Sequence, residues 1–315
     1  MFELKFMFYA LVLVMTAVDI ITLTISMSGN LFIIVVNLLE WSKKKILNLS
    51  DQLITWIGAS NMFYGFFRII LILFVVLDTS NILSAELWKR IYMMAHFVFI
   101  SCNLWLCTWL CVHFCLKIIH LKKSFCISFQ KGLYNVFPWI PIPSILGSLV
   151  VSFFVVWYNT EEFNPSKTVD NCLRNASETS GSDNNLLESY MIYGTFSSLA
   201  FLICLTSALS IIVSLCRHMK AMQDSGQSLE SANCKGHIRV VKIVIALLSV
   251  NGFSYVAVTV AILKVCDPDV IHACAIASHI GHSLCPLILI KGNCKLYKTL
   301  VKMSSNLCTA PACIE

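Results

Sequence analysis

The chain reads as an all-α membrane protein, a bundle of seven transmembrane helices, and three observations carry that reading. Its 315 residues are 57% hydrophobic and 13% charged, with a mean hydropathy of +0.77, outside the range of soluble domains. Seven apolar runs reach or pass the roughly 20 residues needed to cross about 30 Å of hydrocarbon. They occupy about residues 8–39, 52–77, 88–117, 133–157, 189–216, 239–264 and 271–291, in one domain, with 292–315 as a short tail. The Lys and Arg residues, finally, fall mainly in alternate connections. Continuous runs indicate helices, because barrel strands are short and alternate in polarity.

The first run starts at Phe8, outlasts the apolar core of a signal peptide and has no small-residue cleavage site, so it reads as a retained helix. It carries Asp19, and the second run carries Arg68. Counted at about 1.5 Å per residue from their outer ends, the two lie at matching depth. Either they form an ion pair or Arg68 snorkels alone to the headgroups. Deeper in the same two helices, Asn30 and Asn61 are expected to supply hydrogen bonds between helices. The third run holds Cys102, Cys107, Cys111 and Cys115; with Cys204 and Cys285 they act as small hydrophobes within lipid-spanning segments.

Between the fourth and fifth runs, about residues 158–188 form a polar loop containing the glycosylation sequon Asn175-Ala176-Ser177. A second sequon, Asn48-Leu49-Ser50, adjoins Lys43 to Lys45 and is expected to be silent. Cys172 and Cys266 lie in two outer loops; an oxidising compartment pairs them if those loops meet, which sequence does not reveal. In the tail, Cys308 and Cys313 are either free thiols or acylation sites.

Orientation follows from charge. Sixteen of the 23 Lys and Arg residues fall on one set of connections and only six on the other, which puts the N-terminus outside and the C-terminus in the cytosol of a multi-pass plasma-membrane protein. The acidic 158–188 loop and its sequon agree. The net charge of +6 is then a matter of membrane orientation and implies no nucleic-acid partner. No His-Glu-x-x-His, Gly-x-Ser-x-Gly or phosphate-binding glycine loop occurs, so neither an enzyme nor a metal or cofactor is expected. Intramembrane charges are too sparse for an ion pathway, and seven spans do not divide into two transporter repeats. By analogy of fold, a receptor suits this topology, with a ligand cavity outside and a signalling partner inside.

Three stretches sharpen that expectation. The third span contains Leu104-Trp105-Leu106-Cys107-Thr108-Trp109-Leu110 and ends in His113-Phe114-Cys115-Leu116-Lys117-Ile118. The third inner loop reads His218-Met219-Lys220-Ala221-Met222-Gln223 and, further on, His237-Ile238-Arg239-Val240-Val241-Lys242. The last span closes with Leu287-Ile288-Leu289-Ile290-Lys291-Gly292-Asn293-Cys294-Lys295-Leu296. Together with Gly29-Asn30, Asn37 and Ser50-Asp51-Gln52-Leu53, these blocks resemble the type 2 bitter-taste receptors, a family of G-protein-coupled receptors, from end to end. Like that family, the chain lacks the acid-Arg-Tyr and Asn-Pro-x-x-Tyr motifs of rhodopsin-like receptors. Vomeronasal type 1 receptors fit the Lys-Ile and Gly-Asn-x-Lys-Leu endings poorly. There are departures too: Asn61 stands where the family usually has Arg, His96 and Ile100 where many members have Trp and Asn, and Ala275 where some have Glu or Gln. His282-Ser283 lies about three residues early against that pattern.

The resemblance implies a small, mostly apolar bitter agonist, neutral or cationic, that enters from outside among the third, fifth, sixth and seventh spans. Candidate contacts are His96, Phe99, Ile100, Phe196, Asn251, Ser254, Tyr255, Ala275 and His279. It also implies a heterotrimeric G protein of the gustducin or inhibitory type, met by Lys117, Lys122, Lys220 and Lys242, although positive-inside anchoring alone explains those lysines. A pheromone-type chemoreceptor, or a seven-span transporter or scaffold, remains the alternative.

Overall fold

The computed structural model of the protein describes residues 2–76, 82–118, 132, 136, 139–158, 182–224, 232–263 and 268–309. Lipid offers no hydrogen bonds to a bare backbone, so an apolar segment must satisfy its own N–H and C=O groups, which a helix does. The helices are α1 (Phe2–Lys44), α2 (Leu49–Val76), α3 (Ile82–Ile118), α4 (Pro141–Tyr158), α5 (Ser182–Asp224), α6 (Ala232–Leu263), α7 (Pro268–Gly292) and α8 (Cys294–Thr309). The described part of each expected run lies inside one of the first seven, except that residues 136, 139 and 140 of the fourth precede α4; α1, α3, α5 and α6 extend past their runs. Trp139 and Ile140 form a turn ahead of α4, which starts at Pro141; Pro141 and Pro143 have no N–H to give a preceding turn.

Among the described residues, five stretches have both the length and the apolarity to cross a bilayer: Thr16–Lys44, Arg90–Ile118, Tyr190–Arg217, Ile238–Val260 and Ala273–Gly292. Pro141–Val156 is a shorter apolar helix. The run in α2 is interrupted by Asn61 and Arg68, the price of the polar contacts described below.

Sequential helices pack side by side, and α1 packs against α7, so the bundle closes into a ring. Helix α3 touches α2, α4, α5 and α6, and 83% of its span is buried against 28% for α5, which makes α3 the central pillar. The outer surface is apolar, with Trp56, Phe63, Phe66, Phe153, Leu202 and Val256 exposed, as a lipid solvent allows. Hydroxyls on that surface are satisfied internally: Thr24, Thr195 and Thr206 each donate to the carbonyl one turn earlier.

Close approaches depend on missing side chains. A Cβ on Gly29 of α1 would lie 3.0 Å from Cβ of Pro286 in α7, so this glycine lets the two helices meet at the proline. A Cβ on Gly281 of α7 would collide with Oγ of Ser254 in α6. At the junction of α7 and α8, Asn293 caps the new helix: its Oδ1 accepts from the N–H groups of Lys295 at 3.0 Å and Leu296 at 3.4 Å. Helix α1 ends at Lys45 with φ of 57°, a left-handed closing residue whose N–H donates to Trp41 O at 2.7 Å.

The principal apolar core lies toward the α8 end, where Ile33, Leu53, Ile57, Leu106, Leu110, Leu247, Leu289 and Leu296 pack. A smaller cluster of Phe97, Ile100, Val155, Tyr193 and Val258 lies toward the other end, where α1 begins.

Candidate functional site

In the half of the bundle where α1 begins, Arg68 and Asp19 meet. Arg68 Nη2 donates to Asp19 Oδ1 at 2.6 Å, to Asp19 O at 3.2 Å and to Thr22 Oγ1 at 3.4 Å. The Arg68 side chain is only 2% exposed and Asp19 26%, so of the two readings left open by the sequence, the ion pair is the one found and snorkelling is not. A buried guanidinium without a carboxylate would be strongly unfavourable in this setting. His279 Nδ1 lies 2.5 Å from the same Asp19 Oδ1, so the carboxylate joins α1, α2 and α7. Around them, the Tyr64 hydroxyl and His96 Nδ1 are 2.8 Å apart, and Tyr92 stacks on His96. His282 lies with its ring 4.9 Å from that of Tyr64 and donates from Nδ1 to Asn61 Oδ1 at 3.3 Å.

That last contact bears out the hydrogen bond between helices expected of Asn61, whereas the one expected of Asn30 is not made. Asn30 turns back on its own helix, donating from Nδ2 to Ser26 O at 2.8 Å and Ser26 Oγ at 3.2 Å, while Asn61 faces α7. Residue spacing gave the depth of these asparagines but not the rotation of α7 that brings His282 to Asn61.

Next to this cluster, α3, α5, α6 and α7 enclose a cleft lined by Ile100, Asn103, Tyr193, Ser197, Val250, Asn251, Ser254, Tyr255, Val258 and His282. Its free space is about 10 Å³, room for a single water-sized group. Two hydrogen bonds cross between its walls. Asn103 Nδ2 in α3 donates to Asn251 Oδ1 in α6 at 3.4 Å, and the Tyr255 hydroxyl in α6 pairs with Ser198 Oγ in α5 at 2.6 Å.

Of the nine candidate contacts, Ile100, Asn251, Ser254 and Tyr255 line this cleft. His96 and His279 belong to the polar cluster beside it, and Phe99 packs on Tyr64 and Phe67. Phe196 stands against Trp105 and Gly147, away from the cleft lining, and Ala275 is half-buried in α7. Asn103, Tyr193, Ser197 and His282 are the polar cleft residues that sequence reasoning missed. Helical spacing pointed to two of them: Asn103 follows Ile100 on the same face, and His282 follows His279 in the same way.

The α8 end has a second polar centre built on Lys295. Its ammonium donates to Asn37 Oδ1 at 2.7 Å, Glu40 Oε2 at 2.5 Å and Asp51 Oδ2 at 2.8 Å. Asn293 Nδ2 donates to the other oxygen of Asp51 at 2.7 Å, and Asn37 Nδ2 donates to Thr55 Oγ1 at 2.9 Å. One cation thus joins α1, α2 and α8. This network adjoins a cavity of about 460 Å³ bordered by Glu40, Asp51, Leu110, Phe114, Val240, Ile243 and Asn293. The sequence had marked Asn37, Asp51, Asn293 and Lys295 as motif residues, with no sign that they converge. Lys117, Lys220 and Lys242 are exposed near this end, on α3, α5 and α6; Lys122, Cys172, Asn175, Cys266 and Cys313 lie outside the described residues.

The described residues contain no group of His, Cys, Asp and Glu able to hold a metal ion. Comparison with known proteins agrees with the fold. The model of the taste receptor protein family (TAS2R) matches residues 7–307. The chain is 26% identical to taste receptor type 2 member 31 of Papio hamadryas over 91% of its own length and 92% of that protein's. It is also 26% identical to member 45 of Homo sapiens, over 90% and 94%, and to member 140 of Rattus norvegicus, over 88% of each chain. With apolar, membrane-length helices packed around a central third and a family match spanning nearly all of it, the chain belongs to the taste receptor type 2 family and is a multi-pass membrane protein of the G-protein-coupled receptor type.

Proposed function

We propose that this protein is a receptor in which a small bitter compound, entering from outside the cell, occupies the cleft among α3, α5, α6 and α7, and in which the α8 end activates a heterotrimeric G protein of the gustducin or inhibitory type. The observation that carries the reading is the pair of openings at opposite ends of one bundle. One is narrow, mostly apolar and set with a few polar groups, as ligand sites are. The other is wider and flanked by the basic ends of α3, α5 and α6.

The dimensions favour a mechanism. A drug-sized ligand occupies about 300–1,000 Å³, far more than the cleft offers. Binding therefore has to part α5 from α6, breaking the Tyr255–Ser198 bond. A ligand that binds only the parted arrangement shifts the population toward it, and α6 carries the change to the cavity that Val240 and Ile243 border. Lys117, Lys220, Lys242 and the more distal Lys122 supply positive charge facing the partner. The charge bias that puts the N-terminus outside puts Asn175 on the glycosylated side, and Cys172 and Cys266 in the compartment where they pair if their loops meet.

The test is expression of the full chain with a promiscuous G protein and a calcium readout against a broad panel of bitter compounds. Agonist-dependent release is expected. Silence across the panel with receptor present at the surface would overturn the proposal. A glycosidase-sensitive mass shift that disappears in Asn175→Gln is expected if the 158–188 loop is lumenal.

A further inference from the structure

Resting on that reading, we infer that the cleft selects neutral ligands whose polar end donates hydrogen bonds, hydroxyls or amide N–H groups on an apolar body, over amines and quaternary ammonium ions. The argument starts from an amide whose orientation is fixed by its neighbours. Asn251 Nδ2 donates to Leu247 O at 2.8 Å, so Asn251 turns its Oδ1 toward α3. Asn103 must then present Nδ2 to that oxygen, which leaves Asn103 Oδ1 without a partner among the described residues. Asn103 is 4% exposed and lines the cleft.

His282, 3% exposed and also lining the cleft, repeats the pattern. Its Nδ1–H is directed at Asn61 Oδ1, so its neutral ring keeps the lone pair on Nε2, an atom that likewise lacks a partner among the described residues. The hydroxyls of Ser197 and Ser254 border the same space and serve either role. The committed groups are therefore acceptors, and a buried acceptor left unpaired is costly. A ligand supplies what they lack with a donor.

A cation also donates, but nothing lining the cleft carries charge. Asp19, the carboxylate of the adjoining cluster, is already held by Arg68 and His279. Bringing an ammonium into this space would bury it without a counter-ion, which low-dielectric surroundings penalise heavily. Ile100, Val250 and Val258 line the same space and receive the apolar body as the cleft opens.

The experiment uses cells expressing the full chain with a promiscuous G protein and presents matched compounds. These are neutral phenyl glycosides and flavonoids, their O-methyl ethers, and tertiary amines and quaternary ammonium salts of similar apolar bulk. The expected result is activation by the neutral donors, a rise of about tenfold or more in agonist midpoint on O-methylation, and no response to the cations. In Asn103→Leu, at matched surface number, the ratio of midpoints between parent compound and methyl ether is expected to fall toward one; should that variant not reach the surface, Ser254→Ala is read for the same ratio. Responses confined to cations, midpoints indifferent to O-methylation, or an unchanged ratio in the variant would each overturn the inference and leave the receptor reading standing. Silence to every compound from receptor at the surface would instead overturn the receptor reading, and the inference with it.

Discussion

The two ends of the bundle handle polar groups in opposite ways. At the α8 end, Lys295, Asp51, Glu40, Asn37 and Asn293 satisfy one another, and none of their buried polar atoms lacks a partner. In the other half, the Arg68–Asp19 ion pair sits beside Arg68 Nε, His279 Nε2, His282 Nε2, Asn61 Nδ2 and Asn103 Oδ1, all unpartnered among the described residues. A fully satisfied network fixes one arrangement, whereas a partly satisfied one has spare capacity for a ligand. The apolar core follows the same division, with the larger cluster toward α8. One end reads as a frame that holds its shape, the other as a surface waiting for contacts.

The sharpest way to break this contrast is at Arg68. Replacing it by Leu strands Asp19 beside His279 alone, and loss of one member of a buried pair costs about 3–5 kcal/mol. Arg68→Leu should remove most receptor from the cell surface, measured by antibody labelling of an N-terminal tag. The double variant Asp19→Asn with Arg68→Leu should recover a substantial part, because the unpaired charge is gone. Equal loss in the single and double variants would mean that the pair is incidental to folding.

Lys295 tests the frame. Its side chain is 28% exposed, so solvent screens part of the loss, and Lys295→Met should cost about 1–2 kcal/mol, read as a lower thermal midpoint of the detergent-purified receptor. Asp51, only 6% exposed, would keep Asn293 as its remaining side-chain donor. A Lys295→Met effect matching that of Arg68→Leu would erase the difference between the two ends.

The smallest expected effect belongs to the cleft. Tyr255→Phe removes the hydroxyl that ties α6 to α5 through Ser198. One such bond is worth about 1 kcal/mol, so agonist midpoints should fall about fivefold as the parted arrangement becomes easier to reach. A rise of similar size would mean that the hydroxyl serves the ligand directly.

Sequence reading succeeded where the physics is local or one-dimensional. The spans were legible because apolar length is counted along the chain, and Asp19 with Arg68 because depth in a helix is a residue count. Rotation about a helix axis between neighbours is not written that way. Hence neither the meeting of Asn61 with His282 nor the turn of Asn30 back onto its own helix was foreseen. The Lys295 network needed the relative placement of α1, α2 and α8, although Asn37, Asp51, Asn293 and Lys295 had been picked out. The near-closure of the cleft was invisible to sequence altogether, because it depends on side chains of four helices interlocking.

The most direct test of the account fills the cleft. Ile100 lines it on α3 and packs with Phe97, Tyr193 and Val258. With Ile100→Trp at equal surface number, agonist-evoked calcium release should be lost, because the added ring occupies the space the ligand must open. An unchanged midpoint and amplitude would place the agonist elsewhere and contradict the account.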